Sequence, residues 1–261
     1  NGAVRVIFAK NASEGANDYL EFYGENSGDQ LGTALTVGDF NNDLVDDLAV
    51  SAYNAQEGGL RPGKVYIVWG GKNLPSRMTT QVDNQVGQTA ISISVRYSDY
   101  QIFGKDNSDQ FGISLASLDA NGNGIDDLLI GAPFASGPDF SQSGAVYLYF
   151  GATDGLSLNP SYSLYAKSED ERFGSTISGG HVVSSAAEDI VISAYLAGSK
   201  SAKQSGRVYV YKYNPNANYE RFSRFTLRDN DEKGWFGFAT AVGNLNGDNY
   251  EDIAITSFPY K

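Results

Sequence analysis

Phe111-Gly-Ile-Ser-Leu-Ala-Ser-Leu-Asp119-Ala-Asn-Gly-Asn123-Gly-Ile-Asp-Asp127-Leu-Leu-Ile-Gly-Ala-Pro133 is the stretch that decides the fold. An aromatic-glycine step opens a short apolar segment. A polar loop with oxygen-bearing side chains on alternate residues follows, and an Asp leads into a second apolar run. The same order starts at Leu31-Gly32, Phe173-Gly174 and Phe236-Gly237. The intervals between these steps are 80 (111−31), 62 (173−111) and 63 (236−173) residues. Recurrence at a near-constant period implies stacked supersecondary units rather than one irregular core.

Each unit contains four apolar segments. The first follows the aromatic-glycine step, at Thr33–Gly38, Ile113–Leu118, Ser175–Gly179 and Phe238–Gly243. The second follows the polar loop, at Leu48–Tyr53, Leu128–Pro133, Ile190–Tyr195 and Ile253–Phe258. The third begins at a Gly, in Gly63–Trp69, Gly144–Phe150 and Gly206–Lys212. The fourth runs into an acidic turn, as in Tyr100–Gly104 and Ser163–Ala166. Runs of four to seven β-branched and aromatic residues between turn signals read as strands. Several lack clean alternation, as strands covered on both faces do. Four strands per repeated unit define an all-β fold, a β-propeller of four-stranded antiparallel blades.

The whole chain, 1–261, reads as one propeller domain or propeller fragment. Its blades fall at about 31–104, 111–166, 173–228, and 236–258 completed by 2–24. The long first interval arises at Lys72–Ser98, which reads as a loop inserted between strands three and four. Gly2–Phe8 matches a third strand and Asp18–Gly24 a fourth, while the last segment, Ile253–Phe258, matches a second. Two arrangements fit this complementary phase: a small ring closed through a shared blade, or four blades' worth of a larger ring, the second being favoured. Beginning at Asn1 without Met or a leader-like segment, the chain reads as a processed product or an excised piece.

Composition narrows the function. Thirty Gly, 17 Tyr and 14 Phe suit many tight turns between short strands. A formal charge of −12 disfavours a nucleic-acid or anionic membrane partner. No apolar run approaches the ~18 residues of a membrane-spanning helix, so direct membrane insertion is not expected. The absence of Cys rules out disulfides and thiolate metal sites. Asn11-Ala12-Ser13 is a glycosylation sequon.

Three polar loops carry the chemistry. Their alternate residues are Asp39, Asn41, Asp43; Asp119, Asn121, Asn123; and Asn244, Asn246, Asp248. A final carboxylate stands at position 9 of each: Asp47, Asp127 and Asp252. Position 7 would add a backbone carbonyl, from Val45, Ile125 and Tyr250. Hard divalent cations bind oxygen, and Ca²⁺ takes six to eight such ligands in flexible geometry, so about three Ca²⁺ sites are expected. Mg²⁺ demands a stricter octahedron and fits less well. An EF-hand is excluded because its bidentate Glu at position 12 is replaced by Val50, Ile130 or Ile255, inside a strand. With three carboxylates, the first loop should bind most tightly. Gly124 suits the sharp turn at position 6 and Asn249 tolerates it, whereas Leu44 departs from the pattern. In the third repeat His181, Val183, Ser185 and Ala187 occupy positions 1 to 7 ahead of Asp189, so that blade should fold without metal. His181, lacking a nucleophile motif nearby, reads as a solvent-facing loop residue rather than a base.

The Phe-Gly step, the Asp-x-Asn-x-Asn-x-x-x-Asp loop and the ensuing Leu-Ile-Gly-Ala-Pro of 129–133 resemble FG-GAP repeats. Such repeats build the β-propeller head of integrin α subunits and the propeller of glycosylphosphatidylinositol-specific phospholipase D. The resemblance implies Ca²⁺ on one face of the propeller, ligand contacts on loops of the opposite face, and no catalysis by the propeller itself. The function expected is therefore a noncatalytic, extracellular or cell-surface calcium-binding module for adhesion, protein–protein interaction or surface assembly. Its partner would be a protein or glycan on the face opposite the ion loops, at Asn54–Pro62, Ala135–Ser143 and Ala197–Ser205. A lectin-like propeller is the alternative, although Trp69 and Trp235 read as packing residues. A propeller accessory to a hydrolase or lyase is the weakest of the three, and no catalytic residue is assigned.

Overall fold

The computed structural model describes residues 2–8, 19–71, 74, 81–85, 88–183, 186–198, 204–216, 222–228 and 234–258. The chain is all-β. Blade one contains β3 (Leu31–Gly38), β4 (Asp47–Ala52), β5 (Lys64–Val68) and β8 (Tyr100–Phe103), hydrogen-bonded in that order. Blade two is β9 (Ser114–Leu118), β10 (Asp127–Ala132), β11 (Ala145–Tyr149) and β12 (Tyr162–Tyr165), and blade three is β13 (Ile177–Gly180), β14 (Asp189–Ala194), β15 (Arg207–Tyr213) and β16 (Phe222–Arg228). Every pair within these three sheets is antiparallel. A two-stranded sheet follows, β17 (Thr240–Gly243) with β18 (Asp252–Ile255). The strands start and stop within three residues of the segments expected from sequence, because Gly, Asn and Asp bound each apolar run.

Two expectations are corrected. The segment 72–98 is not a plain loop: Gln81–Gln85 (β6) and Gln88–Ser94 (β7) form a hairpin, followed by a single 3-10 turn at Val95–Tyr97. The run Ile91-Ser92-Ile93-Ser94 alternates apolar and polar, which is the period of a strand. β7 pairs in parallel with β2 (Tyr19–Tyr23), which is antiparallel to β1 (Ala3–Ile7), so the N-terminal sheet runs β1-β2-β7-β6. The hairpin covers an edge that would otherwise offer unpaired backbone groups. The second correction concerns the shared blade: among the described residues β1–β2 and β17–β18 lie in separate sheets, with no hydrogen-bonded ladder between them.

The central strands are the most deeply buried. Every residue of β10 and of β14 is buried, including Asp127, Asp189 and Ser193 among their apolar residues. Apolar side chains gather between consecutive sheets rather than inside one sheet. One cluster joins Leu129 and Val146 of blade two to Ile190 and Ile192 of blade three; another joins Val65 and Ile67 of blade one to Leu128 and Ile130 of blade two.

The aromatic-glycine steps set this spacing. Phe173 is buried against Tyr209 and Tyr211, with ring centroids 5.5 and 6.2 Å away. Its backbone forms a parallel bridge to Gly144 at the start of the third strand of the preceding blade, and Phe173 N–H donates to Ser143 O at 3.0 Å. Gly206 and Phe236 repeat the bridge one blade later. A Cβ on Gly144 would lie 2.2 Å from Phe173 O, and the residue holds φ 109°, so only glycine fits. Gly58 has φ 57° and nothing within 4 Å of a built Cβ. Gly58→Ala should therefore cost about 1–2 kcal/mol, the left-handed backbone penalty alone. Gly144→Ala should cost clearly more. Urea unfolding of the two variants checks this, and equal losses would refute backbone contact as the reason for Gly144.

Candidate metal centre

The three polar loops connect the first strand of a blade to the second. Each is curled by its own side chains accepting backbone N–H groups, the pattern of successive Asx turns. Asp39 accepts from Asp43 N and Leu44 N at 3.0 and 2.8 Å, and Asp43 accepts from Val45 N at 2.9 Å. Asp119 accepts from Gly122, Asn123 and Gly124 N–H at 2.7, 3.0 and 2.8 Å, and Asn123 from Ile125 N at 2.9 Å. Asn244 accepts from Gly247 N at 2.6 Å, and Asp248 from Tyr250 N at 2.7 Å. Asn41 and Asn246 each accept from the N–H at position 5, whereas Asn121 donates its amide to Asp127.

Position 4 is left-handed in all three loops, at Asn42 (φ 58°), Gly122 (φ 74°) and Gly247 (φ 78°). Position 6 is not uniform. Leu44 adopts φ 67°, close to the 81° of Gly124, and accepts the steric cost while 89% exposed. Asn249, expected to tolerate that conformation, stays outside the left-handed region. The departure at Leu44 thus leaves the first loop's shape intact.

Position 9 has a structural task that its expected role as a ligand did not reveal. Asp47 is buried and accepts from Phe40 N at 3.0 Å and from Gly70 N at 2.8 Å, tying the loop to the end of β5. Asp127 accepts from Gly151 N at 2.9 Å, and Asp252 from Leu245 N at 2.9 Å. Asp189 does the same in the third repeat, from Val183 N at 2.6 Å. Burial pushes the Asp47 carboxyl up to about 6, with Asp43 and Asp39 adding repulsion, and burial with Asp119 nearby pushes Asp127 to about 7.

All the donors that the sequence nominated are oxygen atoms on curled loops, which is the donor chemistry of a hard cation. Among the described residues no three acidic or imidazole groups converge tightly enough to hold a metal by themselves. That includes Asp39, Asp43 and Asp47 of the carboxylate-rich first loop. Asn and backbone oxygens would have to complete any coordination shell. The sequon Asn11 lies outside the described residues.

Position 8, unassigned from sequence, links consecutive blades. Asp126 accepts from Asp39 N at 2.9 Å, Glu188 from Asp119 N at 2.7 Å, and Glu251 from His181 N at 2.7 Å. Each carboxylate thus reaches back to position 1 of the loop in the preceding blade. Backbone bonds reinforce two of these links, Glu188 N to Asp119 O and Glu251 N to His181 O. The signal was visible as an acidic pair ahead of every second strand: Asp46-Asp47, Asp126-Asp127, Glu188-Asp189 and Glu251-Asp252. His181 is half-buried within this link rather than facing solvent. Glu188→Ala should lose roughly 1–3 kcal/mol, the range for a hydrogen bond to a charged group, while Glu188→Gln retains an acceptor and should lose less. Thermal melts of both in chelator separate the two.

At the opposite end of the blades lie the acidic turns before Leu31, Phe111 and Phe173. Asp109 is buried there, and burial together with the Asp106 charge pushes its carboxyl up to about 6. A carboxyl that holds its proton more tightly folded than unfolded stabilises the fold as pH falls. Stability should therefore decline as pH rises from about 4, the unfolded value, to about 6. Asp109→Asn should flatten that decline, measured as unfolding midpoint against pH in the presence of chelator.

Residues 31–68 and 111–149 match the FG-GAP repeat, so the chain carries FG-GAP repeats and folds them as propeller blades. Human phosphatidylinositol-glycan-specific phospholipase D is 28% identical over 218 residues, which are 80% of this chain and 24% of that protein. Integrin alpha-5 of Xenopus laevis is 27% identical over 237 residues, covering 87% of this chain and 20% of the integrin. Integrin alpha-4 of the same species is 31% identical over 168 residues, covering 61% and 15%. The chain spans about a quarter or less of the length of these relatives.

Proposed function

We propose that this chain is a noncatalytic, extracellular calcium-binding propeller segment that serves adhesion, protein–protein interaction or surface assembly. The observation that carries the metal reading is a comparison between repeats. The third repeat makes its inter-strand turn with Asp189 and the Glu251 link, without Asp or Asn at positions 1, 3 and 5. The other three add Asp or Asn at positions 1, 3 and 5, so those oxygens exceed what the turn requires. Asp39, Asn41, Asp43 and Asp47 would hold one Ca²⁺, with Val45 O. Asp119, Asn121, Asn123 and Asp127, with Ile125 O, would hold a second. Asn244, Asn246, Asp248 and Asp252, with Tyr250 O, would hold a third. A bound divalent cation neutralises carboxylates that now repel one another and ties each loop into one unit.

Partner binding is assigned to the other face, where the loops Asn54–Pro62 and Ala135–Ser143 connect second to third strands on a rigid scaffold. Similarity to integrin alpha subunits along most of the chain supports a protein ligand there. A carbohydrate-binding reading is favoured by one feature, a half-exposed aromatic group at the third and fourth repeats. Trp235, 39% exposed, packs with Tyr195 at 6.2 Å and Phe238 at 6.4 Å, and Phe238 meets Phe258 at 5.2 Å. Among the described residues no helix is long and apolar enough to cross a membrane.

Adding Ca²⁺ to chelated protein should raise the melting temperature with a logarithmic dependence on concentration, since a ligand that binds only the folded state stabilises by RT ln(1 + [L]/Kd). Asp119→Ala should remove about one of three equivalents in calorimetry. No thermal shift on adding Ca²⁺ would sink the metal reading.

A further inference from the structure

The third repeat, which lacks Asp and Asn at positions 1, 3 and 5 of its loop, carries an unusual charge arrangement at the far end of its blade. Arg207 opens β15 and stands directly across from Arg228 at the end of β16, with Tyr209 opposite Thr226 two residues along. Arg207 also pairs with Ala194, whereas Asp189 begins the same strand at its other end. The arginines are therefore remote from the inter-strand turn. The corresponding cross-strand pairs are Lys64 with Phe103 in blade one and Ala145 with Tyr165 in blade two. Like charges directly opposite on neighbouring strands repel, so the Arg pair works against the sheet unless something offsets it.

The offset inside the protein is incomplete. Arg207 Nη1 lies 3.4 Å from Glu171 Oε1, and its Nη2 donates to Gly198 O at 2.6 Å. Glu171, fully buried, is also engaged by Tyr209 OH at 3.0 Å and by the Ser168 hydroxyl. Lys167, beside Glu171 in the turn after β12, brings a third cation to the same place. Among the described residues neither Lys167 nor Arg228 has an ion-pair partner. Among the described residues, Lys167, Arg207 and Arg228 thus line one cleft and only Arg207 is paired with a carboxylate, on a chain whose formal charge is −12. In blade one the ratio is reversed: Lys64 alone meets Glu57 at 2.9 Å and Glu25 at 3.6 Å.

These side chains surround open space. Lys167, Arg207, Tyr209, Thr226 and Arg228 line a cleft of about 330 Å³. That volume is more than a bare tetrahedral anion fills and sits at the small end of organic ligand sites. Guanidinium forks and an ammonium match the oxygens of a sulfate or phosphate group, and the Thr226 hydroxyl adds a neutral donor. We propose that this cleft binds a sulfate or phosphate monoester carried on a polar group about the size of one sugar ring. The charged oxygens would lie between Arg228, Lys167 and Arg207, with the carrier toward Thr226. The site is independent of the calcium reading, because it shares no residue with the ion loops.

Calorimetric titration of the whole chain with galactose 6-sulfate, galactose 6-phosphate, unsubstituted galactose, inorganic sulfate and inorganic phosphate tests the proposal. Binding of either ester, weakening as salt is raised, with no binding of galactose, is the expected result. Whichever ester binds more tightly identifies the oxyanion. Arg228→Gln, at an exposed strand end, should weaken ester binding about tenfold or more while leaving the melting temperature near the parent value. Arg5→Gln, on β1 and paired with Glu21, is the control and should leave binding unchanged. The proposal is overturned if neither ester binds, if only the inorganic ions bind, or if Arg228→Gln binds an ester as tightly as the parent. Lys167→Gln gives a second readout: a several-fold loss is expected, and unchanged binding by both variants counts equally against the site.

Discussion

Everything in this molecule depends on two backbones touching. The glycine that opens a third strand lies against the carbonyl of the Phe that opens the next blade, with no side chain between them. That contact fixes how far apart consecutive sheets stand. The Phe ring then fills the space between them, and the apolar clusters fall between blades rather than within one. A propeller blade cannot bury its two faces alone, so stability resides in these repeated interfaces. The inter-blade carboxylates act at the opposite end of the same interfaces. The glycine contact and the acid link therefore clamp each pair of blades near both ends.

The relation between turn and ion site is the second lesson of the repeats. An Asp at position 9 would usually be assigned to the metal in a loop of this kind. Here it is occupied by backbone N–H groups in all four repeats, including the one without other ligands. A carboxylate oxygen has lone pairs to spare, so holding the loop and holding a cation are compatible. The Asp and Asn oxygens at positions 1, 3 and 5 mostly curl their own loop, and there the functional reading has most room.

Much of this was legible in the sequence, for identifiable reasons. The strands were, because Gly, Asn and Asp punctuate them, and so were the curled polar loops, because their oxygens alternate. The hairpin at 81–94 was obscured because Gln81, Asp83, Asn84, Gln85, Gln88 and Thr89 make most of its first half polar, so that it looked like a loop. The role of position 8 was obscured for a different reason: a hydrogen bond to a residue 69 to 87 positions away leaves no local pattern. Only its repetition in four acidic pairs hinted at a common task. The cleft at Arg207 and Arg228 was hidden likewise, since a cross-strand pairing over 21 residues (228 − 207) leaves no local pattern.

The acid links also impose an order in time. Loop 39–47 has its first N–H satisfied by Asp126, a residue made 87 positions later. At roughly 5–20 residues per second, that side chain emerges about 4–17 s after the loop itself. The same holds for the loop at 119–127, which waits for Glu188. During synthesis, then, each new blade completes the one before it, and the most recently made blade is always the unfinished one. The growing chain therefore carries its vulnerable end forward with the ribosome.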